Sequence, residues 1–174
     1  MKDIKDFVVT IPDFPEPGIM FRDVTSVTQS AEGLKLAIEE LQKLLEGVEF
    51  DAIAGMEARG FIFGTPLAYN LGKPFVPVRK KGKLPRQAIS AEYALEYGTA
   101  EIEMNIDALK PGDKVVIVDD LIATGGTAKA AAQLVEKLGG EVVKFIFLLE
   151  LAGLNGRKTL EGYTVDSVAI YEGK

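Results

Sequence analysis

Apolar residues recur along the chain at two different spacings, and segments of the two kinds alternate. Apolar residues three or four positions apart predict three helices, between Ser30 and Gly47, at 60–71 and at 127–138. Short unbroken apolar runs predict five buried strands, at 51–55, 74–80, 115–118, 142–149 and 164–171. Strands that alternate with helices form a mainly parallel sheet with helices on both faces, so the pattern predicts a single α/β domain.

Two segments lack such a pattern. The first runs to about Gln29 and is predicted to be irregular, because prolines fix its backbone at 12, 15 and 17. The second, 80–106, joins two predicted elements and has few large apolar residues, which is typical of a lid. Ligands bind beyond the carboxyl ends of parallel strands, so we expect the functional residues in the loops 56–60, 80–106 and 119–127.

Composition excludes several kinds of chemistry. The 174 residues include no cysteine and no histidine, which rules out thiolate zinc sites, cysteine nucleophiles and Ser-His-Asp triads. The net charge of −6 disfavours a general nucleic-acid partner. The charged, proline-interrupted first residues do not resemble a signal peptide, and the apolar runs are too short to cross a bilayer, so a cytoplasmic protein is expected.

The stretch VVIVDDLIATGGT, at 115–127, combines a buried strand, two aspartates and a turn of small residues. Glycine N–H groups, threonine hydroxyls and the start of the next helix suit a phosphate monoester, which we assign to Ala123, Thr124, Gly125, Gly126 and Thr127. Asp119 and Asp120 would repel a phosphate, but they can accept hydrogen bonds from sugar hydroxyls and face a hydrated Mg²⁺. A capped surface turn is the alternative for TGGT alone, and the strand and the aspartates favour a ribose 5-phosphate site.

This stretch resembles the signature of the type I phosphoribosyltransferases, which use 5-phosphoribosyl 1-pyrophosphate (PRPP). The resemblance covers nearly the whole chain and is strongest to the members that act on adenine. It extends over four further stretches, FPEPGIMFRDVT, DAIAGMEARGFIFGTPLA, VPVRKKGKLP and EYALEYGTAEIEM. It implies a type I phosphoribosyltransferase fold with a hood at about 1–34, a core at about 35–174 and a flexible β-hairpin lid at about 82–106.

The resemblance gives roles to three cations. Arg59, in a glycine-flanked turn, suits a pyrophosphate that its guanidinium can grip, although an ordinary surface arginine is the alternative for this segment alone. The resemblance makes residues 56–60 the pyrophosphate loop, with a cis peptide bond near Glu57–Ala58. It also singles out Arg79 and Lys83, in the one basic cluster of the chain, as pyrophosphate contacts.

Recognition of the base is implied by resemblance more than by pattern. The Met20 backbone is expected to pair with one edge of adenine, Phe21 and Leu121 to flank the ring, and Arg22 to add a polar contact. A proline turn with a core phenylalanine is the alternative for the stretch PGIMFRD.

The lid carries two further candidates. Glu96 is expected to close over the base, to act at the purine N7 and to be catalytic together with Arg59, and Tyr97 to seal the lid.

The resemblance therefore implies an enzyme that converts adenine and PRPP into AMP and pyrophosphate, as a homodimer, with Mg²⁺ carried by PRPP and water near the two aspartates. No direct metal ligand is assigned. The alternatives are a transferase for another base such as hypoxanthine or xanthine, a PRPP-sensing regulator that binds nucleic acid, and a sugar-phosphate binding module without turnover.

Overall fold

A computed structural model describes residues 1–95 and 97–173 of the chain. The strands of this part are β1 (Val9–Pro12), β2 (Met20–Asp23), β3 (Ala52–Met56), β4 (Phe75–Lys80), β5 (Ala88–Leu95), β6 (Gly98–Asn105), β7 (Lys114–Ile122), β8 (Glu141–Leu151) and β9 (Val165–Tyr171). The α-helices are α1 (Thr25–Thr28), α2 (Ala31–Lys43), α3 (Arg59–Leu71), α4 (Gly126–Lys137) and α5 (Gly156–Thr159). Two 3₁₀ turns cover Ile4–Phe7 and Ala152–Leu154.

The central sheet has seven strands in the order β5-β6-β4-β3-β7-β8-β9. The five strands that the apolar pattern predicts, β4, β3, β7, β8 and β9, are mutually parallel. Their helices pack on both faces and divide the core into two clusters. One cluster lies under α4 and the other under α2 and α3. The predicted α/β fold is therefore confirmed, including the three long helices.

The prediction of an irregular N-terminal segment is wrong. Residues 9–12 and 20–23 form an antiparallel pair, with Pro12 opposite Met20, and the peptide bond between Phe14 and Pro15 is cis. Prolines are tolerated here because this two-stranded sheet has only edge strands, in which N–H groups without a partner are common. The pattern missed the pair because each strand has only four residues, too few for a periodicity.

The 80–106 segment is also more ordered than a loop. Strands β5 and β6 pair over eight residues each, and β6 continues the sheet antiparallel to β4, with Arg79 opposite Glu103. The hairpin that the resemblance implies is therefore present, and its flexibility stays a prediction. Within the described residues, no helix is both long enough and apolar enough to span a membrane.

Candidate active site

Strand β7 carries both aspartates of the signature. We predicted that this strand ends at Val118, but it continues to Ile122 and pairs with β8 along this length. Asp119 and Asp120 therefore lie within the strand, where neighbouring side chains point to opposite faces of the sheet. This alternation divides the two carboxylates between two cavities.

The first cavity, which we call the loop cavity, has a volume of about 120 Å³. It is lined by Asp119, Leu121, Ile122, Phe147 and the residues 123–128. Gly125 caps helix α4 with a φ of +85°, a conformation that L side chains rarely adopt. All five residues assigned to the phosphate therefore come together in one concave site at a helix N-terminus, which favours an anion.

Asp119 is the acidic member of this cavity. Asp119 is partly exposed at the cavity, but its surroundings remove most of the hydration of the carboxylate, and this loss raises its pKa well above the ordinary value. The neighbouring Asp120 raises this pKa further, and the Asp120 N–H, at 2.8 Å from Oδ1, opposes it together with Arg59. This carboxyl group consequently favours a ligand that brings hydrogen-bond donors or positive charge.

Asp120 faces the other side of β7 and is only 4% exposed. Its Oδ2 accepts a 2.5 Å hydrogen bond from Nε of Arg59, the first residue of α3. Helix α3 can approach because residue 60 is glycine, and a Cβ there would lie 2.9 Å from the Val118 carbonyl oxygen. The charge of Asp120 raises the pKa of Arg59, so this guanidinium stays positive beside the strand.

The second cavity, the hood cavity, has a volume of about 290 Å³ and a mainly apolar surface. It is lined by Ile19, Met20, Phe21, Arg22, Val24, Arg59, Asp120, Leu121, Leu151 and Leu154. Four of the five predicted base contacts, Met20, Phe21, Arg22 and Leu121, are thus brought together. Leu121 lines both cavities and places them side by side.

Arg22 is held from two sides. Its Nη1 donates to the Thr10 hydroxyl at 2.7 Å, and its guanidinium carbon lies 4.0 Å from the centroid of the Tyr171 ring. Its Nε is buried without a hydrogen-bond partner among the described atoms. A buried N–H without a partner is costly, so the position of Arg22 depends on its contacts with Thr10 and Tyr171.

The basic residues of β4 are engaged by Glu57. Arg79 donates to this carboxylate from Nη2 at 3.2 Å and from Nε at 3.4 Å, and the Lys80 backbone N–H donates at 2.8 Å. These contacts lower the pKa of Glu57, with the Lys80 N–H as the largest cause, against the opposing effect of burial. Arg79 also donates from Nη1 to the Lys83 carbonyl oxygen at 3.4 Å, so the backbone of Lys83 lies beside the side chain that contacts Glu57.

The backbone of that loop is as the resemblance implies, because the peptide bond between Glu57 and Ala58 is cis. The structure does not bring every candidate together, however. Tyr97 lies fully exposed in the turn between β5 and β6 and lines neither cavity. Glu96 lies outside the described residues.

Sequence reasoning missed the last residue of β8 and the segment that follows it. Leu151 and Leu154 line the hood cavity, and Gly156 lies against the loop 123–127, where its Cβ would be 2.6 Å from the Ala123 carbonyl oxygen. Thr10 and Tyr171, which hold Arg22, were also missed. The rule that ligands bind beyond strand ends would have indicated the β8 segment, since β8 neighbours β7 in the sheet.

Glu150, the penultimate residue of β8, contacts Arg157 of this segment and is only 5% exposed. Arg157 donates to it from Nε at 2.8 Å and from Nη2 at 2.9 Å, and the Ser167 hydroxyl donates at 2.7 Å. Burial would raise the pKa of Glu150, but these hydrogen bonds outweigh burial and lower it.

A carboxyl group whose pKa is lowered on folding stabilises the fold above its unfolded pKa and loses that contribution as pH falls through its folded pKa. We therefore expect Glu150→Gln to lower the Tm at pH 7. The Tm difference from the wild type should begin to shrink near the ordinary pKa of 4.5 and continue below it. Thermal melts of both proteins from pH 7 to pH 3 check this, and a constant difference would contradict it.

Comparison with known proteins agrees with this geometry. Residues 23–170 match the phosphoribosyl transferase domain family. The chain belongs to this family, and its fold is that of a solved relative.

The similar proteins that follow are adenine phosphoribosyltransferases. The protein of that name from Agathobacter rectalis is 68% identical over the full length of both chains. The crystal structure of the Thermoanaerobacter pseudethanolicus enzyme is 56% identical, covers 97% of this chain and 98% of its own, and superposes with a TM-score of 0.93. The Saccharomyces cerevisiae enzyme, solved with an imino-altritol bisphosphate and adenine, is 40% identical, covers 95% of this chain and 96% of its own, and has a TM-score of 0.89.

Proposed function

We propose that the chain transfers the 5-phosphoribosyl group of PRPP to adenine, giving AMP and pyrophosphate. The observation that carries this function is the pair of cavities that meet at Leu121, one built for a phosphate and one mainly apolar. A nucleoside 5′-monophosphate has the same two ends, joined by a ribose. The relatives up to 68% identical that carry the name of this activity support the same conclusion.

The ribose of this proposal lies against β7. Residues 123–127 hold the 5′-phosphate through N–H groups and hydroxyls, and the sugar hydroxyls donate to Asp119 and Asp120. Because the two carboxylates point to opposite faces of the strand, Asp119 is the nearer to the phosphate and Asp120 to the base. Arg59 donates a hydrogen bond to Asp120 and so fixes the position of this acceptor.

The leaving group of this proposal lies at the pyrophosphate loop. Arg79 and Lys83 suit its charges, and a cationic rim also raises the local concentration of an anionic substrate. In the free protein the Arg79 guanidinium is bound to Glu57, so pyrophosphate must replace that carboxylate or share the guanidinium with it. Arg59 is the third candidate for binding pyrophosphate, and its side chain also lines the hood cavity.

Magnesium fits the site as an ion carried by the substrate. The described residues hold no group of three or more carboxylates or other ligating side chains that could bind a metal by themselves. Asp119 and Asp120 can therefore hold it only through water or together with PRPP oxygens. When bound, Mg²⁺ neutralises charge on the pyrophosphate leaving group.

The base lies in the hood cavity. Strand β2 belongs to a two-stranded sheet, so one side of its backbone has no partner strand and can present N–H and C=O groups to a base edge. At Met20 such a pair matches the N1 acceptor and the amino donor of adenine. A 6-oxopurine has the opposite pattern, and the resulting mismatch discriminates by roughly 10⁴-fold.

Glu96 is the proposed group at the base N7, and Tyr97 the residue that seals the hairpin lid over it. We expect Glu96→Gln to lower kcat by about 100-fold while the affinity for PRPP changes little, because proton transfer is lost and the phosphate contacts remain. Steady-state kinetics and PRPP binding check this. Glu92→Gln, at an exposed position of the same hairpin, is the matched control, and an unchanged kcat for Glu96→Gln would remove Glu96 from the mechanism.

Incubation with PRPP, Mg²⁺ and adenine tests the function as a whole. AMP and pyrophosphate should appear in equal amounts, and omission of adenine should stop pyrophosphate release. Binding of PRPP without turnover would instead indicate a sugar-phosphate binding module. A shift of DNA or RNA on a gel that depends on PRPP would indicate the regulator.

The assembly and location of the enzyme also belong to this proposal. A homodimer in the cytoplasm is supported by the family resemblance, and sedimentation at several concentrations tests the dimer. A monomer at all concentrations would contradict it.

A further inference from the structure

The segment 151–160 runs from the last residue of β8 to the region before β9. It lines the hood cavity with Leu151 and Leu154 and contacts the loop 123–127 through Gly156. It contains α5, a helix of only four residues that begins after Asn155, whose φ is +57°. A single helical turn is not stable by itself, so its position must be fixed by tertiary contacts. Two contacts of this kind are evident, the buried side chain of Leu160 and the ion pair of Arg157.

The ion pair has a defined geometry. Besides three hydrogen bonds from Arg157 to the Glu150 carboxylate, the Arg157 Nη1 donates to the Val165 carbonyl oxygen at 2.6 Å. Ser167 completes the carboxylate's environment from β9. The arginine therefore ties α5 to the end of β8 and to the start of β9 at the same time.

The helix held in this way supports the phosphate loop. A Cβ at Gly125 would lie 2.8 Å from the Gly156 carbonyl oxygen and 3.1 Å from Cβ of Thr159. A Cβ at Gly156 would lie 2.6 Å from the Ala123 carbonyl oxygen. The backbone of Gly156 therefore packs against the backbone of the phosphate loop at both Ala123 and Gly125. Arg157 is the next residue in the chain after Gly156.

We infer that the Glu150–Arg157 pair is a positioning device for the 5′-phosphate, acting through Gly156 on residues 123–126. The inference rests on the proposed function. A buried ion pair is weak evidence for stability, because apolar residues of similar volume often stabilise as well. The planar guanidinium of an arginine differs from an apolar side chain, because its hydrogen bonds fix both the direction and the distance of the bound carboxylate. Here it fixes the surface against which the phosphate loop is folded.

The test compares AMP with adenosine, which differ only in the 5′-phosphate. In Arg157→Lys the positive charge remains and the planar guanidinium is lost. We expect the affinity for AMP, measured by calorimetry, to fall by about 10-fold, the loss of roughly one charge-assisted hydrogen bond. The affinity for adenosine should change by less than about 2-fold, because adenosine has no 5′-phosphate to contact the loop. In turnover, the KM for PRPP should rise while the KM for adenine and kcat change little.

Two further variants make the result decisive. Gly156→Ala keeps the ion pair and pushes directly on the Ala123 backbone, so it should weaken AMP at least as much as Arg157→Lys does. Leu41→Ala removes a fully buried side chain of α2, away from both cavities. It should lower the Tm and leave the AMP-to-adenosine ratio at the wild-type value.

Either of two results would overturn the inference. One is a ratio of AMP affinity to adenosine affinity that equals the wild-type ratio in both Arg157→Lys and Gly156→Ala. The other is a change in that ratio in Leu41→Ala as large as in Arg157→Lys, since general loosening would then explain the effect. A wild-type protein that binds no AMP would count against the proposed function instead.

Discussion

Asp120→Asn should lower kcat/KM for PRPP by about 100- to 1,000-fold, the largest effect that we expect from a single side chain. The substitution preserves shape and removes the charge that faces Arg59 at 2.5 Å. Two charge-assisted hydrogen bonds are lost at the site, one from Arg59 and one from a sugar hydroxyl, and each contributes about 1.5–3 kcal/mol. We use the lower part of that range, because the Arg59 side chain is about half exposed and water can solvate it.

The loss has a physical cause beyond the ion pair. With Asp120 neutral, the Arg59 guanidinium is free to leave β7, and the sugar hydroxyls lose a charged acceptor. Steady-state kinetics with PRPP varied at saturating adenine measures the effect. Glu40→Gln is the control, since it breaks a surface pair with Lys43 on α2 and should leave the kinetics unchanged. A kcat/KM within a few-fold of the wild type for Asp120→Asn would contradict the role of this carboxylate.

Gly125→Ala should lower kcat/KM for PRPP by about 100-fold and also reduce stability. A left-handed backbone costs an L residue about 1–2 kcal/mol. The added Cβ would in addition lie 2.8 Å from the Gly156 carbonyl oxygen, so the turn has to move. Displacement of two N–H donors from a phosphate, at about 1.5–3 kcal/mol for each charged hydrogen bond, accounts for the kinetic loss.

Gly47→Ala separates these two contributions. Gly47 also has a positive φ, of +75°, but a Cβ there would meet nothing within 4 Å. It should therefore show a similar loss of Tm from backbone strain, with normal kinetics. If Gly125→Ala retained the wild-type KM for PRPP, residues 123–127 would not be the phosphate site.

The fold could be predicted to the extent that long periodic segments determine it. Helices α2, α3 and α4 and the five parallel strands each contain enough apolar residues to show a period, and they lie where the pattern placed them. The pairs β1–β2 and β5–β6 could not be predicted from pattern alone. They are short or largely exposed, so their apolar residues do not alternate strictly, and their pairing depends on partners elsewhere in the fold.

The site could be predicted in its parts and less well in its arrangement. Residues 123–127 line one cavity, and Met20, Phe21, Arg22 and Leu121 line the next, while their binding roles stay predictions. What the sequence could not indicate is the division of Asp119 and Asp120 between the two cavities. That division depends on the strand continuing to Ile122, four residues beyond the predicted end.

Contacts between distant segments were hidden for a similar reason. Arg22 is held by Thr10 and Tyr171, which lie 12 and 149 positions away in sequence, and no local pattern joins them. The same applies to Arg59 and Asp120, which are 61 positions apart. Such pairs depend on the order of strands in the sheet, and that order places β3 beside β7.

The central claim is that the hood cavity selects adenine while β7 and its loop bind PRPP. One competition measures this directly, with equal adenine and hypoxanthine, limiting PRPP and Mg²⁺, and separation of the two nucleotide products. We predict AMP as the product, with IMP lower by roughly 10⁴-fold because a 6-oxopurine leaves buried groups unpaired. IMP in comparable or greater amount would contradict the assignment of the base, whereas neither nucleotide would contradict the transferase itself.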